Sequence, residues 1–238
     1  MSRRAVILAG GKGSRLRPYT VVLPKPLMPI GEYPILEVIL RQLAAQGFEH
    51  ITLAVNHQAE IVRAFCGDGS RWGIRIDYSL ETAPLSTIAP LRLISDLPEN
   101  FLLMNGDVLT DLPMAKLYEE HVAQNRKFTI AASERTHIVD YGVLRTSGNQ
   151  LSGFEEKPRF QYLVSMGVYI VNRSVLENVP AGQSYGFDNL MLTMLQREQP
   201  VHVERYAGYW LDIGRVEDNM RAIEEFEERR RYLLPDEK

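Results

Sequence analysis

The first fifteen residues constrain this chain more than any other stretch. Residues 5–9, AVILA, are short, apolar and β-prone enough for a buried strand, and they run directly into Gly10, Gly11, Lys12, Gly13, Ser14 and Arg15. A buried strand that empties into glycines delivers a loop whose N–H groups can approach a ligand closely. Successive N–H groups in such a turn form a concavity for an anion. Lys12, Arg15, Arg17 and Lys25 add four cations within fourteen residues, a density that suits a triphosphate better than a neutral ligand.

Two widespread phosphate-loop patterns are absent. G-x-x-x-x-G-K-[ST] fails because Gly13 follows Lys12, and G-x-G-x-x-G fails because Leu16 stands at the sixth position counted from Gly11. What remains, GGKGSRLRP with PKP after it, resembles the signature of the sugar-1-phosphate nucleotidylyltransferases, the enzymes that make nucleotide sugars. Leu8, Gly10, Gly11, Gly13, Ser14, Arg15, Leu16, Pro18, Thr20, Pro24, Lys25 and Pro26 all match it. The resemblance implies that Leu8, Ala9, Gly10, Gly11, Lys12, Gly13 and Ser14 bind the nucleotide and that Arg15 and Lys25 are the catalytic cations. A glycine-rich turn needed only for geometry would leave the cations and PKP unexplained.

The chain has 238 residues, 45% hydrophobic and 24% charged, with a formal net charge of −3. That is ordinary for a globular protein, and with no long basic run it argues against nucleic acid as a partner. One cysteine, Cys66, excludes an internal disulfide and reads as a small buried hydrophobe. Arg3 and Arg4 before residues 5–9 mimic an export signal, but the apolar run is too short and is cut off by Lys12, Arg15 and Arg17. No stretch approaches the ~20 apolar residues that cross a bilayer, so a cytoplasmic protein without a membrane partner is expected.

Strand and helix patterns alternate through the first half, as in a parallel sheet. Residues 34–46 carry an amphipathic helix between Pro34 and Gly47; residues 51–55 read as a strand, 59–65 as a short helix and 74–78 as a strand. Residues 81–90, ETAPLSTIAP, stand where the resembled family has E-x-x-P-L-G-T-A-G and, with its helix, holds the nucleobase. The resemblance gives Glu81, Pro84 and Ser86 a base-contacting role, while Ser86, Ile88 and Ala89 depart from the pattern. The strand at 101–104 ends at Asn105, Gly106 and Asp107. A carboxylate at a strand's carboxyl end stands where ligands bind in open α/β sheets, and Mg²⁺ takes one or two carboxylates plus substrate phosphates. By the resemblance, Asn105 and Gly106 join the nucleotide site and Asp107 holds the metal. Asp111 reads as a cap for a helix at 113–124.

From Phe128 the strands come closer together: 128–132, 143–145, 151–154 and 163–171. Short loops predict a mixed or antiparallel arrangement, folding over the first sheet as a sugar-binding lobe. Here the resemblance rests on YGV at 141–143, FEEKP at 154–158 and SMGVY at 165–169, which assign Gly142, Glu156, Lys157 and Ser165 to the sugar phosphate. Ser165 stands where the family often has asparagine. GYWLDIG at 208–214 resembles the family's W-x-D-[IV]-G segment and makes Asp212 the second metal carboxylate. A helix is expected at 188–196, and a last helix at 216–232 burying Val216, Met220, Ile223 and Phe226. His50, His57, His121, His137 and His202 show no ligand spacing, and there are no internal repeats.

The expected fold is therefore α/β: a Rossmann-like, mostly parallel mixed sheet with helices on both faces and a smaller sugar-binding β lobe. One domain is expected over 1–238, with a nucleotide half at 1–125, a sugar-phosphate half at 126–238 and no β-helix extension. The resemblance implies Mg²⁺-dependent transfer of a nucleotidyl group from an NTP to a sugar 1-phosphate, closest to the short mannose- and heptose-type guanylyltransferases. Family members often form dimers or tetramers. Transfer of another base, a cyclitol phosphate as acceptor, a non-catalytic regulatory homologue and a glycosyltransferase are the competing readings.

Overall fold

The computed structural model describes residues 3–234. In chain order the elements are β1 (Arg3–Leu8), β2 (Pro29–Ile30), β3 (Tyr33–Pro34), α1 (Ile35–Ala45), β4 (Phe48–Val55), α2 (Ala59–Cys66), β5 (Arg75–Leu80), β6 (Asn100–Asn105) and β7 (Val108–Thr110). Beyond these come α3 (Met114–Ala123), β8 (Phe128–Ile138), β9 (Gly142–Ser147), β10 (Gln150–Glu156), β11 (Arg159–Asn172), α4 (Phe187–Gln196), β12 (His202–Arg205), β13 (Trp210–Asp212) and α5 (Val216–Leu233). Seven strands form one sheet in the order β12-β8-β11-β6-β1-β4-β5. Within it β11 runs antiparallel to β6 and β8, and every other pair is parallel.

Alternation along the central strands splits the core in two. Ala5 and Ile7 of β1, Leu102 and Met104 of β6, and Val168 and Ile170 of β11 face one cluster, which takes in buried residues of α1, α2, α3 and α5. Val6, Phe101, Leu103, Tyr169 and Val171 face the other, closed by α4 and two 3-10 turns. Helices thus cover both faces, unequally. On α1 the side chains of Leu36, Ile39, Leu40 and Leu43 are fully buried, each stabilising the fold by about 1.5–3 kcal/mol relative to exposure. Pro34 precedes that helix in extended conformation, and Gly47 ends the turn behind it at φ 76°. Among the described residues no helix is long and apolar enough to cross a membrane.

Three expectations are corrected. The second half does not fold over the first sheet, because β8, β11 and β12 extend it. Residues 166–172 of β11 are buried, and β11 pairs with β6 over Val168–Asn172, so of the strands between residues 128 and 172 only the β9–β10 hairpin stands apart as its own sheet. Asp111 does not cap α3: its carboxylate accepts from the Tyr206 hydroxyl (2.6 Å) and the Tyr209 N–H (2.7 Å), while Pro113 stands at the helix start with no side-chain cap. The last helix buries Asn219, Ala222, Phe226 and Leu233, leaving Met220 and Ile223 exposed. Glycine supplies the reason, since the Phe226 ring fills the space beside Gly31 and sets the helix rotation.

Candidate active site

The carboxyl ends of β1, β4 and β6 lie side by side, and the loops they release build the site. The Ala9 N–H donates to Ala54 O (2.8 Å) and the Gly106 N–H to Leu8 O (3.0 Å), which fastens the glycine loop to both neighbouring strands. Gly13 closes it at φ 60°, where an added Cβ would lie 2.8 Å from Thr20 Cγ2. Its carbonyl accepts from the Leu16 N–H (2.8 Å) and from the Thr20 hydroxyl (2.7 Å). That explains threonine in the motif: it braces the loop from below. At Gly106 a Cβ would stand 2.9 Å from Leu8 O, so only glycine lets β6 turn this close to β1.

Asp107 and Asp212 come together although 105 residues separate them in the sequence. Short strands β7 and β13 pair antiparallel, with Asp212 opposite Val108 and the Ile213 N–H donating to Asp107 O (3.0 Å). Lys25 forms a largely buried ion pair with Asp107 Oδ2. Asp107 Oδ1 is buried with no hydrogen-bond partner among the described residues. The Asp212 carboxyl is pushed above its ordinary range, first by loss of solvent around it and next by repulsion from Asp107, while Lys25 and Arg15 pull it back. The Arg15 guanidinium reaches over the Gly214 backbone, 3.3 Å from where a Cβ would project. Two crowded carboxylates with an orphaned oxygen form a hard, anionic donor set that suits Mg²⁺. No cluster of three or more His, Cys, Asp or Glu that could hold a metal occurs among the described residues.

Two adjoining cavities share Leu8, Gly11 and Asp107 in their walls. The smaller, about 180 Å³, is lined by Gly13, Ser14, Arg15, Lys25, Gly106 and Gly214. The larger, about 450 Å³, is lined by Gly10, Lys12, Asn56, Glu81, Pro84, Leu85, Ser86, Thr87 and Asn105. Nearly every residue expected to bind the nucleotide therefore faces one of these two spaces. Ala9 is the exception, being buried with its N–H taken by β4. Burial pushes the Glu81 carboxyl up, and the Leu85 N–H and Asn56 amide act against that shift.

The base loop is held from the far side by the segment before α4. Tyr185 N–H donates to Leu85 O (3.0 Å), the Ile88 and Ala89 N–H groups donate to Tyr185 O, and the Phe187 N–H donates to Thr87 Oγ1 (2.9 Å). Ser86 sits at φ 68°, in the left-handed region. Beyond the loop the chain makes a 3-10 turn at Ala89–Leu93 in place of an α-helix.

Gly142, Glu156, Lys157 and Ser165 line neither cavity. Gly142 pairs with Glu156 on the β9–β10 hairpin, where the Phe154 ring crosses the bare Gly142 backbone. Lys157 comes next in left-handed conformation at φ 46°. Ser165 lies at an irregularity in the β8–β11 pairing, its hydroxyl donating to Tyr169 Oη (3.0 Å). The same irregularity presses Gly167 against the Asn105 amide and so reaches the nucleotide cavity from behind.

Asn56, Thr87 and Gly214 were missed by sequence reasoning. Asn56 had a usable signal, as the first residue after an apolar strand next to β1.

The sequence model of the nucleotidyl transferase family matches residues 4–229. A mannose-1-phosphate guanyltransferase of Yarrowia lipolytica is 32% identical, over 90% of this chain and 61% of its own length. A UTP--glucose-1-phosphate uridylyltransferase of Synechocystis is 31% identical, over 92% of this chain and 62% of its own. The chain thus spans about three-fifths of the length of the curated relatives it matches. HddC from Yersinia pseudotuberculosis, solved with GMP-PN, superposes with a TM-score of 0.72 at 24% identity, over 94% of this chain and 99% of that one. A Bacillus anthracis protein solved with a sucrose gives a TM-score of 0.76 at 23% identity, over 94% of both chains. At these identities the likeness shows the fold, that of the nucleotide-diphospho-sugar transferases.

Proposed function

Because the chain belongs to the nucleotidyl transferase family, we propose that it transfers a nucleotidyl group from an NTP to a sugar 1-phosphate, releasing pyrophosphate. The observation that carries this reading is that Arg15, Lys25 and Asp107 line one glycine-walled cavity, with the Asp212 carboxylate close to Asp107. A sugar-phosphate oxygen attacks the α-phosphorus in line, a P–O bond forms, the bond to the β-phosphate bridging oxygen breaks, and pyrophosphate leaves with the electron pair. The attacking oxygen is already anionic, so no general base is needed. Positioning and charge stabilisation then do most of the catalysis.

Each cation has a separate task. Arg15 stabilises the leaving pyrophosphate, and Lys25 the α-phosphate and the attacking phosphate. Asp107 and Asp212 would hold Mg²⁺, which would supply positive charge to neutralise the phosphate oxygens. Gly10 to Ser14 offer backbone N–H groups to the triphosphate. Gly142, Glu156, Lys157 and Ser165 take the sugar phosphate, with Lys157 as a point charge.

GTP with a mannose- or heptose-type 1-phosphate is the preferred substrate pair, because guanyltransferases recur among the similar sequences. A uridylyltransferase at nearly the same identity supports a second reading, another base with another sugar or cyclitol phosphate. The test is pyrophosphate release from GTP, UTP, dTTP, CTP and ATP crossed with a panel of sugar 1-phosphates, with Mg²⁺ and with EDTA. Release that needs one NTP, one sugar phosphate and the metal is the expected result. No release from any pair, with nucleotide still bound, overturns the proposal in favour of a non-catalytic homologue.

A further inference from the structure

Downstream of Asp212 stands a further carboxylate that the proposed reaction does not use. Asp218 lies in the first turn of α5, and its Oδ2 accepts from the Gly214 N–H (3.2 Å) and from the Arg215 N–H (2.8 Å). Such a carboxylate serves the helix by itself, since it pairs the N–H of the residue at the helix entry and sits at the positive end of the dipole. What it holds is also the floor of the site. Gly214 lines the smaller cavity, and an added Cβ there would stand 3.3 Å from Arg15 Nη2 and 3.6 Å from Asp212 Oδ2. The bare backbone of Gly214 therefore lies under the Arg15 guanidinium and beside the Asp212 carboxylate.

Arg15 needs such a floor. It stands in a 3-10 turn of three residues, Ser14–Leu16, it is exposed, and among the described residues its guanidinium makes no hydrogen bond. A guanidinium without a hydrogen bond is placed by nearby charge and by the surface it rests on. The charge of Asp212 reaches it, and the Gly214 backbone limits how closely it can approach. We propose that Asp218 is a positioning residue for the transfer step: by holding the N–H groups of Gly214 and Arg215 it fixes the floor on which Arg15 lies over the leaving pyrophosphate. This inference rests on the nucleotidyl-transfer reading and adds to it a residue that touches no substrate. Small displacements matter here, because a misplacement of about 1 Å caused from outside the reacting groups can cost ~10²-fold in rate.

The test measures steady-state pyrophosphate release with the NTP and sugar 1-phosphate that the wild-type protein turns over best, and records Tm alongside. Asp218→Ala frees both N–H groups and is expected to lower kcat about tenfold, with KM for either substrate moving less than about twofold, since Arg15 acts mainly in the transition state. Asp218→Asn keeps an oxygen that accepts from the same N–H groups and should return kcat to within about threefold of wild type. In an Arg15→Ala background, Asp218→Ala should cost less than about twofold more, because the residue it acts through is gone. Gly214→Ala reaches the same floor and leaves the carboxylate in place. Gly214 is not at a positive φ, so the backbone accepts alanine, and the added Cβ should press on Arg15 and lower kcat about threefold, with no further loss once Arg15 is absent. That variant decides the matter should Asp218→Ala fail to fold. A fall in Tm with kcat unchanged, an equal loss in both backgrounds, or full activity of Gly214→Ala overturns the inference while the transfer reaction stands. A wild-type protein that releases no pyrophosphate from any pair removes both.

Discussion

The phosphate end of the site and the β9–β10 hairpin both carry family-like residues, yet they are built in opposite ways. At the phosphate end the functional side chains hang from buried strand ends and the loops beside them. Backbone bonds tie residues 9 and 106 to β4 and β1, Thr20 braces Gly13, and β13 locks beside β7. Among the described residues the hairpin pairs with no other strand, and it leaves Leu144, Leu151 and Phe154 about 60% exposed. Geometry is fixed by the fold in the first region, and in the second it depends on two strands that pair only with each other. In the proposed reaction, chemistry that tolerates no misplacement would belong to the first region and binding of the sugar phosphate to the second.

That contrast can be broken. Removing the cation beside Asp212 should cost most: Arg15→Ala is expected to lower kcat by ~10² or more, the scale of losing a transition-state charge donor, as read by steady-state pyrophosphate release. A loss below about threefold, far short of that scale, would mean that the phosphate end is less organised than its bonding suggests.

Acid offers a second probe, aimed at the core under both regions. His121 of α3 is fully buried against β8, with Nδ1 2.8 Å from Thr129 Oγ1, and burial pushes its pKa down to about 4. The folded state keeps this imidazole neutral while the unfolded chain protonates near pH 6.5. The unfolded state therefore binds more protons, and stability is complete above about pH 6.5 and falls as pH drops toward 4. Between about pH 7 and pH 5 the loss should be on the order of 2 kcal/mol, a fall of several degrees in Tm. His121→Leu should flatten that slope in a melting series, and an unchanged slope would assign it to other groups.

The smallest effect is expected on the hairpin. Lys157→Ala should raise KM for the sugar phosphate about tenfold, as when one charged hydrogen-bond donor is lost, with kcat nearly kept and stability within ~0.5 kcal/mol. A kcat loss matching that of Arg15→Ala would place Lys157 in the rigid machinery and erase the contrast.

Legibility in the sequence divides along the same line. Residues 5–15 announced a strand and a glycine loop because local pattern and local structure coincide there. Asp107 and Asp212 were found as motif members, and the β7–β13 pairing explains why they belong together. Asp111 was misread because a carboxylate two residues before a proline mimics a cap, whereas its partners, Tyr206 and Tyr209, lie nearly a hundred residues on. The face of α5 was misjudged since Met220 and Ile223 outrank Asn219 and Ala222 in hydrophobicity, and only the seat of Phe226 against Gly31 decides the rotation. β11 joins the sheet through β6, more than fifty residues upstream, a pairing that no short-range pattern encodes.

The Lys25–Asp107 ion pair gives the resting protein its own stand-in cation. A divalent ion arriving alone would compete for Asp107 with an ammonium group that also lies near the Asp212 carboxylate. An ion arriving on a triphosphate brings the lysine a new partner in the same encounter, so the exchange conserves contacts. In the proposed reaction, that one contact would favour a metal carried in on the nucleotide over a metal arriving alone.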